Sequence, residues 1–194
     1  MSTFVRHLPG RLPDRIADLV GRDDQVVYSD QARALVAGKR ILVTGAGGSI
    51  GSEIVRQLHS LEPDVVYLLD HDESAMHHLE LELYGHGLFV DDRTVLANIR
   101  DRAGIARVLC QLRPDIVYHA AAHKHLPLLE RYPSEGVKTN VLGTMNVVSA
   151  AVEANVSHFI NVSTDKAAKP TSVLGATKRL AEQVVSAYAG RGTR

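Results

Sequence analysis

A short apolar run followed at once by three evenly spaced glycines restricts the fold of this chain more than any other feature. Ile41–Val43 reads as a buried strand, and the segment Thr44–Gly51 that follows it carries Gly45, Gly48 and Gly51. Glycines let a chain turn tightly, and they let an anion approach the backbone N–H groups at the start of the next helix. The segment therefore predicts a strand–turn–helix unit that cradles phosphate groups.

Strands and helices alternate along the rest of the chain from Lys39 onward. We predict strands at 41–43, 65–69, 94–97, 116–118 and 158–162, and helices at 73–84, 101–112, 133–155 and 177–189, with a further helix beginning near residue 50. This alternation indicates βαβ units with right-handed crossovers. The predicted fold is α/β, a Rossmann-type doubly wound parallel sheet of order 3-2-1-4-5.

The domain boundary is predicted at the point where the regular pattern begins. Residues 1–38 carry Pro, Gly and two short helical patterns, at 16–20 and 31–36, and are interpreted as an N-terminal extension. Residues 39–194 form the dinucleotide-binding domain. A sixth strand would come next in such a sheet, so we expect the fold to be truncated after the fifth strand and the helix that follows it.

An acidic residue at the end of the second predicted strand refines the choice of cofactor. Asp70 follows the glycine segment at the spacing typical of a carboxylate that binds the adenosine ribose. Such a carboxylate favours NAD and repels the 2′-phosphate of NADP, which remains the alternative. Asp72 and Glu73 are alternatives for the same role, and a glycine-rich turn without a ligand is the alternative for the segment. The cradle contacts are assigned to Gly45, Gly48, Ser49, Ile50 and Gly51.

Composition excludes several classes of partner. Lys and Arg together number 22, as do Asp and Glu, so no net charge attracts nucleic acid or an anionic membrane. No apolar run has the length of a membrane span, and no signal-peptide pattern is present. The single Cys110 suits a reducing compartment. We expect a soluble cytoplasmic chain without nucleic-acid or membrane contacts.

Three later segments lie where ligands of such sheets bind, beyond the carboxyl ends of the strands. His119–Ala122 follows the fourth predicted strand, and its small residues allow close approach of a ligand. Ser163–Lys166 follows the fifth strand, and Leu174–Lys178 opens the last helix. A helix cap or a loop turn is the alternative interpretation of Ser163–Lys166.

Together these motifs resemble the capsular polysaccharide biosynthesis family of nucleotide-sugar 4,6-dehydratases, within the extended short-chain dehydrogenase/reductase superfamily. The motifs are Val43–Gly51, Leu68–His71, His119–Pro127, Asn140–Thr144, Ser163–Ala167 with Pro170, and Gly175–Arg179. The resemblance implies a UDP-linked N-acetylhexosamine as substrate, typically UDP-N-acetylglucosamine, and bound NAD(P)+. It implies oxidation at C4, elimination of water across C5–C6, and return of the hydride to C6.

The resemblance also implies roles for individual residues. Lys166 would be the C5 base if burial lowers its pKa, and Asp165 the acid if its pKa is raised. Thr164 would bind the sugar 4-oxygen, and Lys178 the nicotinamide ribose. Further cofactor contacts are implied for Asn98, Ile99, Ala120, Ala121 and Ala122, and substrate contacts for Lys124 and His125.

Two positions depart from the family pattern. Leu174 stands four residues before Lys178, where most of the superfamily has a tyrosine that takes the proton of the 4-hydroxyl. The C4 base is therefore unassigned between Lys178, Lys166 and a bound water. Asn98 replaces an aspartate that faces the adenine. A 4-epimerase or ketoreductase and a catalytically silent dinucleotide-binding module remain the alternative functions.

Other expectations concern partners and less specific residues. The resemblance implies that residues beyond 194 would complete the sugar-nucleotide pocket, so we expect dinucleotide binding with little or no turnover. A homo-oligomer is one option, and a membrane anchor is an option for a longer protein. The ten histidines show no metal-ligand spacing, so no metal site is predicted. Glu80 and Glu82 are interpreted as a solvated helix face. Asn140 is expected to make an internal hydrogen bond.

Overall fold

A five-stranded parallel sheet organises residues 28–89 and 91–189, the part of the chain that the computed structural model describes. The strands are β1 (Arg40–Thr44), β2 (Val65–Asp70), β3 (Thr94–Leu96), β4 (Ile116–His119) and β5 (His158–Asn161). The helices are α1 (Asp30–Val36), α2 (Ser49–His59), α3 (Glu73–Tyr84), α4 (Arg102–Leu112), α5 (Leu126–Arg131), α6 (Pro133–Gly136), α7 (Thr144–Glu153) and α8 (Val173–Ala189). A π-helical segment, Val137–Gly143, joins α6 to α7, and a 3₁₀ turn, Asp165–Ala167, follows β5.

The strand order is β3-β2-β1-β4-β5, and every neighbouring pair is parallel. This confirms the predicted doubly wound sheet. In the register, Thr44 at the end of β1 lies opposite Leu69 and His119. The carboxyl ends of the central strands therefore meet at one edge, on both sides of the point where the strand order reverses.

The core has two layers because successive residues of a strand face opposite sides of the sheet. Under the face covered by α2 and α3, the buried residues include Ile41, Val43, Val55, Met76 and Leu79. Under the face covered by α4 and α7, they include Leu42, Ile105, Leu109, Val147 and Ala151. Strands buried on both faces explain why β1 is a continuous apolar run rather than an alternating one.

The N-terminal boundary can be compared with the structure only in part. The helical pattern at 31–36 is present as α1, and Val36 is buried in the core cluster beside β1. Tyr28 packs against the same cluster. Residues 28–38 thus pack on the domain, whereas the pattern at 16–20 lies outside the described residues.

Three helical predictions differ from the structure in detail. The helix predicted at 133–155 is one helical run, but the π-helical segment interrupts its α-helical hydrogen bonding. The last helix begins at Val173 rather than 177, because Ser172 accepts hydrogen bonds from Gly175 and Ala176 and starts the helix before the glycine. The six-residue α5 is too short to produce a helical periodicity and was not predicted.

Glu80 is a correction to the expected solvated face. Glu80 is only 3% exposed, and its carboxylate accepts a hydrogen bond from the hydroxyl of Thr94 on the edge strand β3. Glu82 is exposed as expected and pairs with Arg56 of α2. The period of the helix places Glu80 and Glu82 on different faces, which composition alone does not show.

No helix in the described part of the chain combines the length and the apolar character that crossing a membrane requires.

The start of α4 supplies a test of how this fold is stabilised. The Asp101 side chain accepts a hydrogen bond from the backbone N–H of Gly104 at 3.0 Å and caps the helix. We expect Asp101→Ala to lower the free energy of unfolding by about 1 kcal/mol, since it leaves that N–H without its cap. Asp101→Asn should recover most of the loss in urea unfolding. Equal losses in both variants would show that charge, not the cap, is responsible.

Candidate active site

A cleft of about 880 Å³ opens at the carboxyl edge of the sheet. All but one of the predicted site residues line it. They are Gly45, Gly48, Ser49, Ile50, Gly51, Asp70, Asn98, Ile99, Ala120, Ala121, Ala122, Lys124, His125, Thr164, Lys166 and Lys178. Asp165 is the exception. The fold thus brings together residues that are far apart in the sequence, and their individual roles stay predictions.

The glycine segment is built for close approach of backbones. Gly45 has a φ of 70°, and a Cβ there would lie 2.6 Å from the Cα of Ala121 in the loop after β4. A Cβ on Gly51 would collide with the carbonyl oxygen of Gly45. Gly48 is the N-cap of α2 and offers no side-chain cap, so the first N–H groups of that helix are left for a ligand in the cleft. This arrangement suits a diphosphate.

Asp70 joins the glycine segment to the turn after β2. Its Oδ2 accepts from the N–H of Gly47 at 3.0 Å, and its Oδ1 accepts from the N–H of His71 at 2.7 Å. The residue is 8% exposed and still lines the cleft. Asp72, one alternative for the ribose role, instead caps α3 by accepting from the N–H of Ala75.

His119 is buried at the end of β4, directly before the cleft-lining residues Ala120–Ala122. Its Nδ1 lies 2.7 Å from the hydroxyl of Thr44, and its Nε2 lies 2.9 Å from the hydroxyl of Thr144. Thr144 donates its own proton to the carbonyl of Asn140, so it accepts from Nε2–H, and Nδ1 accepts from Thr44. Burial, with a smaller contribution from the charge of Lys178, lowers the pKa of His119 to about 3. The ring is neutral and links β4 to β1 and α7.

Asn140 in the π-helical segment makes the internal hydrogen bonds expected of it. Its Oδ1 accepts from the N–H of His123 at 2.8 Å, and its Nδ2 donates to the carbonyl of His123 and to the hydroxyl of Thr177, each at 3.0 Å. The loop after β4 is therefore fixed to α8. A π-helical turn at a functional site is a common arrangement.

Lys178 lies on α8 at the far side of the cleft. Its ammonium donates to the carbonyl oxygen of Val162 at 2.6 Å, directly before Ser163 and Thr164. Burial lowers the pKa of Lys178, and the charge of Glu182 opposes that effect. Leu174, one turn earlier, is 7% exposed and lines the cleft, so an apolar side chain occupies the expected tyrosine position.

The environment of Asp165 and Lys166 differs from what their expected roles require. The Asp165 side chain is 86% exposed, and hydrogen bonds from Thr164 and Lys166 lower the pKa of its carboxyl group. The acid role needed a raised pKa. The Lys166 side chain is 48% exposed and its ammonium lies 3.2 Å from Asp165, so the burial expected of a neutral base is also absent. The conditions attached to the two roles are therefore not met in this structure, because the 3₁₀ turn Asp165–Ala167 leaves both side chains exposed, and the roles themselves stay predictions.

Two cations line the cleft near the glycine segment and beyond β3. The ammonium of Lys124 donates to the hydroxyl of Ser49 at 3.1 Å, so it spans the cleft to the start of α2. Arg100, which the sequence analysis did not single out, follows Asn98 and Ile99 and also lines the cleft. Its place three residues after the end of a predicted strand was the available signal.

Metal ligation finds no support in residues 28–89 and 91–189, where no cluster of three His, Cys, Asp or Glu side chains could hold an ion. The single Cys110 is exposed.

Comparison with known proteins gives a match over most of the chain. Residues 41–193 match the family model described as polysaccharide biosynthesis protein. A probable polysaccharide biosynthesis protein of Bacillus subtilis, EpsC, is 42% identical over 178 residues, which are 91% of this chain and 30% of that protein. The chain thus spans about a third of the length of that relative.

Relatives of two enzymatic types also match. An inverting UDP-N-acetylglucosamine 4,6-dehydratase of Campylobacter jejuni is 32% identical over 148 residues, 76% of this chain and 42% of that protein. A UDP-glucose 4-epimerase of Rickettsia canadensis is 31% identical over 157 residues, 78% of this chain and 44% of that protein. Among solved structures, the chain superposes on the dTDP-glucose 4,6-dehydratase DesIV of Streptomyces venezuelae, a structure with bound NAD. The TM-score is 0.67 at 30% identity, and the match covers 77% of this chain and 51% of that one.

The crowding at Gly45 can be separated from its backbone conformation. Gly38 also has a positive φ, but a Cβ there would have no atom within 4 Å. We expect Gly38→Ala to cost about 1–2 kcal/mol, the penalty of a left-handed alanine. Gly45→Ala should cost about 1–3 kcal/mol more, since the methyl group collides with the backbone at Ala121. Urea unfolding checks both, and equal losses would contradict the close approach.

The neutral state of His119 predicts a dependence of stability on pH. The unfolded ring titrates near its ordinary pKa of 6.5 and the folded ring near 3, so its contribution is complete above pH 6.5 and is lost as pH falls toward 3. From about pH 8 to about pH 5, His119 should account for about 2 kcal/mol of lost stability. His119→Asn should reduce this slope in urea unfolding, and His158→Asn, at an exposed position, should not. An unchanged slope in His119→Asn would contradict the assignment.

Proposed function

The chain belongs to the polysaccharide biosynthesis protein family, and on that premise we propose that it is the dinucleotide-binding and catalytic-loop part of a nucleotide-sugar 4,6-dehydratase. The proposed substrate is a UDP-linked N-acetylhexosamine, with UDP-N-acetylglucosamine as the first candidate. One observation carries the proposal: Thr164, Lys166 and Lys178 line the same cleft as the glycine segment. Groups for proton transfer thus lie beside a site suited to a redox cofactor.

NAD is the proposed cofactor, and the residues present fit it. Gly45 and Gly51 let the backbones around the glycine segment pack closely, and the start of α2 after Gly48 has no side-chain cap, so its N–H groups suit a diphosphate. Asp70, at the end of β2, offers a carboxylate to ribose hydroxyls and disfavours the 2′-phosphate of NADP. Bound NAD+ would supply the hydride acceptor at C4 and the hydride returned at C6.

Lys178 is the proposed group at the 4-hydroxyl. Leu174 cannot transfer a proton, whereas Lys178 is buried and burial lowers the pKa of its ammonium. A lowered pKa makes the neutral amine more accessible as a proton acceptor. Thr164, on the same rim of the cleft, would donate a hydrogen bond to the 4-oxygen.

The Asp165–Lys166 pair is proposed to carry the elimination. In the free chain it is an ion pair joined by a hydrogen bond of 3.2 Å. Moving one proton from the ammonium to the carboxylate yields an amine base and a carboxylic acid together, and enclosure by a bound substrate favours this neutral pair. The amine of Lys166 then takes the C5 proton, and Asp165, turned toward the cleft, protonates the departing 6-hydroxyl. Water leaves, a C5–C6 double bond forms, and the ion pair is restored.

A 4-epimerase is the second candidate, favoured by the match to the Rickettsia enzyme. Epimerisation needs hydride transfer and proton exchange at C4 alone, so it gives the Asp165–Lys166 pair no task. A silent dinucleotide-binding module is favoured by Leu174. The three functions differ in what happens at C5.

The discriminating experiment supplies a full-length version of the protein with NAD+ and UDP-N-acetylglucosamine in heavy water. We expect a 4-keto-6-deoxy product with deuterium at C5, detected by mass spectrometry and NMR. Lys166→Met should slow C5 deuteration by about 100-fold or more, since it removes a proton-transfer group. Lys169→Met changes an exposed lysine outside the cleft lining and should leave the rate unchanged.

Other outcomes identify the alternatives. A C4 epimer without deuterium at C5 would assign an epimerase. Binding of NAD+ in calorimetry without any turnover of the sugar nucleotide would assign the silent module.

A further inference from the structure

Arg100 joins three segments that the sheet itself does not connect. It lies between β3 and α4, and its guanidinium reaches α6, the π-helical segment and the loop after β4. Nη1 donates to Glu135 Oε2 at 2.6 Å, and Nε and Nη2 donate to the hydroxyl of Thr139 at 2.8 and 2.6 Å. Nη2 also lies 3.1 Å from Nε2 of His123.

The contact with His123 fixes the state of that ring. A guanidinium has no acceptor, so Nε2 of His123 must accept and the ring proton must reside on Nδ1. Burial lowers the pKa of His123, and the charges of Arg100, His71 and His125 act in the same direction while Glu135 opposes them. Geometry and environment thus agree on a neutral ring with Nδ1 protonated.

The ends of β3 and β4 are separated by β2 and β1 in the sheet. Strands lie about 4.8 Å apart, so the two ends are about 14 Å from each other and sheet hydrogen bonds cannot join them. Both loops nevertheless line the cleft, through Asn98 and Ile99 on one side and His123 on the other. The loops that follow the two strands approach each other across this gap, and the side chains of Arg100 and His123 make a contact between them.

The loop after β4 is fixed through both the main chain and the side chain of His123. Asn140 binds the main chain of His123, and Arg100 binds its ring. Thr139, which accepts hydrogen bonds from Arg100, is 8% exposed and directly precedes Asn140, so the residue that binds Arg100 and the residue that binds the His123 main chain are neighbours in the π-helical segment. The wall of the cleft beyond β3 is therefore one connected unit.

We propose that Arg100 is a positioning residue for the dinucleotide: it holds Asn98 and Ile99 and the neutral ring of His123 in one wall, against which the adenosine part of the cofactor binds. The cofactor half of this inference rests on the proposed function. The role demands arginine, because the planar fork of donors reaches Glu135, Thr139 and His123 together, whereas a lysine ammonium cannot span them.

The state of the His123 ring tests the inference without any ligand. In ¹⁵N NMR of the imidazoles, assigned by the loss of a signal in His123→Asn, we expect wild-type His123 to have Nδ1 protonated and Nε2 free. Arg100→Met should shift His123 toward the Nε2-protonated tautomer and raise its pKa, since the donor and the adjacent charge are gone. Arg100→Lys should release the tautomer as well. Arg56→Met removes a half-buried, paired arginine of α2 outside the cleft lining and should change neither.

Calorimetric titration with NAD+ tests whether the wall that Arg100 holds contributes to cofactor binding. Arg100→Met and Arg100→Lys should each weaken binding about tenfold, the effect of losing charge-assisted hydrogen bonds that order the wall. Arg56→Met should bind as the wild type does.

The outcomes distinguish the contact between Arg100 and His123 from the effect of that contact on cofactor binding. An unchanged His123 tautomer in Arg100→Met, or full recovery in Arg100→Lys, would overturn the positioning role. Release of His123 with unchanged NAD+ affinity would overturn its link to the cofactor. Absence of NAD+ binding in the wild type, with His123 released in Arg100→Met, would refute the proposed function and the cofactor half while leaving the contact itself established.

Discussion

The contact between the backbones at Gly45 and Ala121 is the constraint on which the site depends. It brings the loops after β1 and β4 together at the point where the strand order reverses, and no side chain fits between them. His119 supports the same junction from below, with a hydroxyl on each ring nitrogen. The contact between Gly45 and Ala121 therefore fixes where the loops after β1 and β4 meet, and the contact between Gly45 and Gly51 fixes the start of α2 beside them. The other site residues are arranged around these two features.

Sequence reasoning succeeded where a single local pattern decides the structure. The bounds of α3 and the position of the glycine segment follow from periodicity and turn chemistry, which act over a few residues. The strand order follows from the alternation of these elements and the right-handed crossovers between parallel strands. It failed where the surroundings decide. Glu80 is buried because an edge strand covers it, and Asp165 is exposed because its loop forms an open turn. Arg100 was missed because its partners lie far away in the sequence, in the helical run that contains Glu135 and Thr139 and in the loop after β4.

Electrostatics differ between the two sides of the cleft. Around β4 and α8, burial keeps His119 neutral and lowers the pKa of Lys178. At the rim, Asp165 and Lys166 are exposed and paired, so solvent screens them. In the proposed chemistry, Lys178 at C4 has its pKa lowered by burial before any substrate binds. The Asp165–Lys166 pair at C5 changes its protonation only when a substrate encloses it. This division follows from depth in the cleft rather than from residue type.

The π-helical segment between α6 and α7 has a consequence for how this chain tolerates change in length. Each residue of an α-helix turns the following residues by about 100° about the axis, so the wider π-helical turns set the rotation of everything after them. Asn140 faces the loop after β4 and Val147 faces the sheet only with this phase. Inserting one residue between them without a further wide turn would rotate Val147 by about 100°, out of the core. The segment therefore acts as a spacer whose residue count, more than its composition, keeps the site and the core in register.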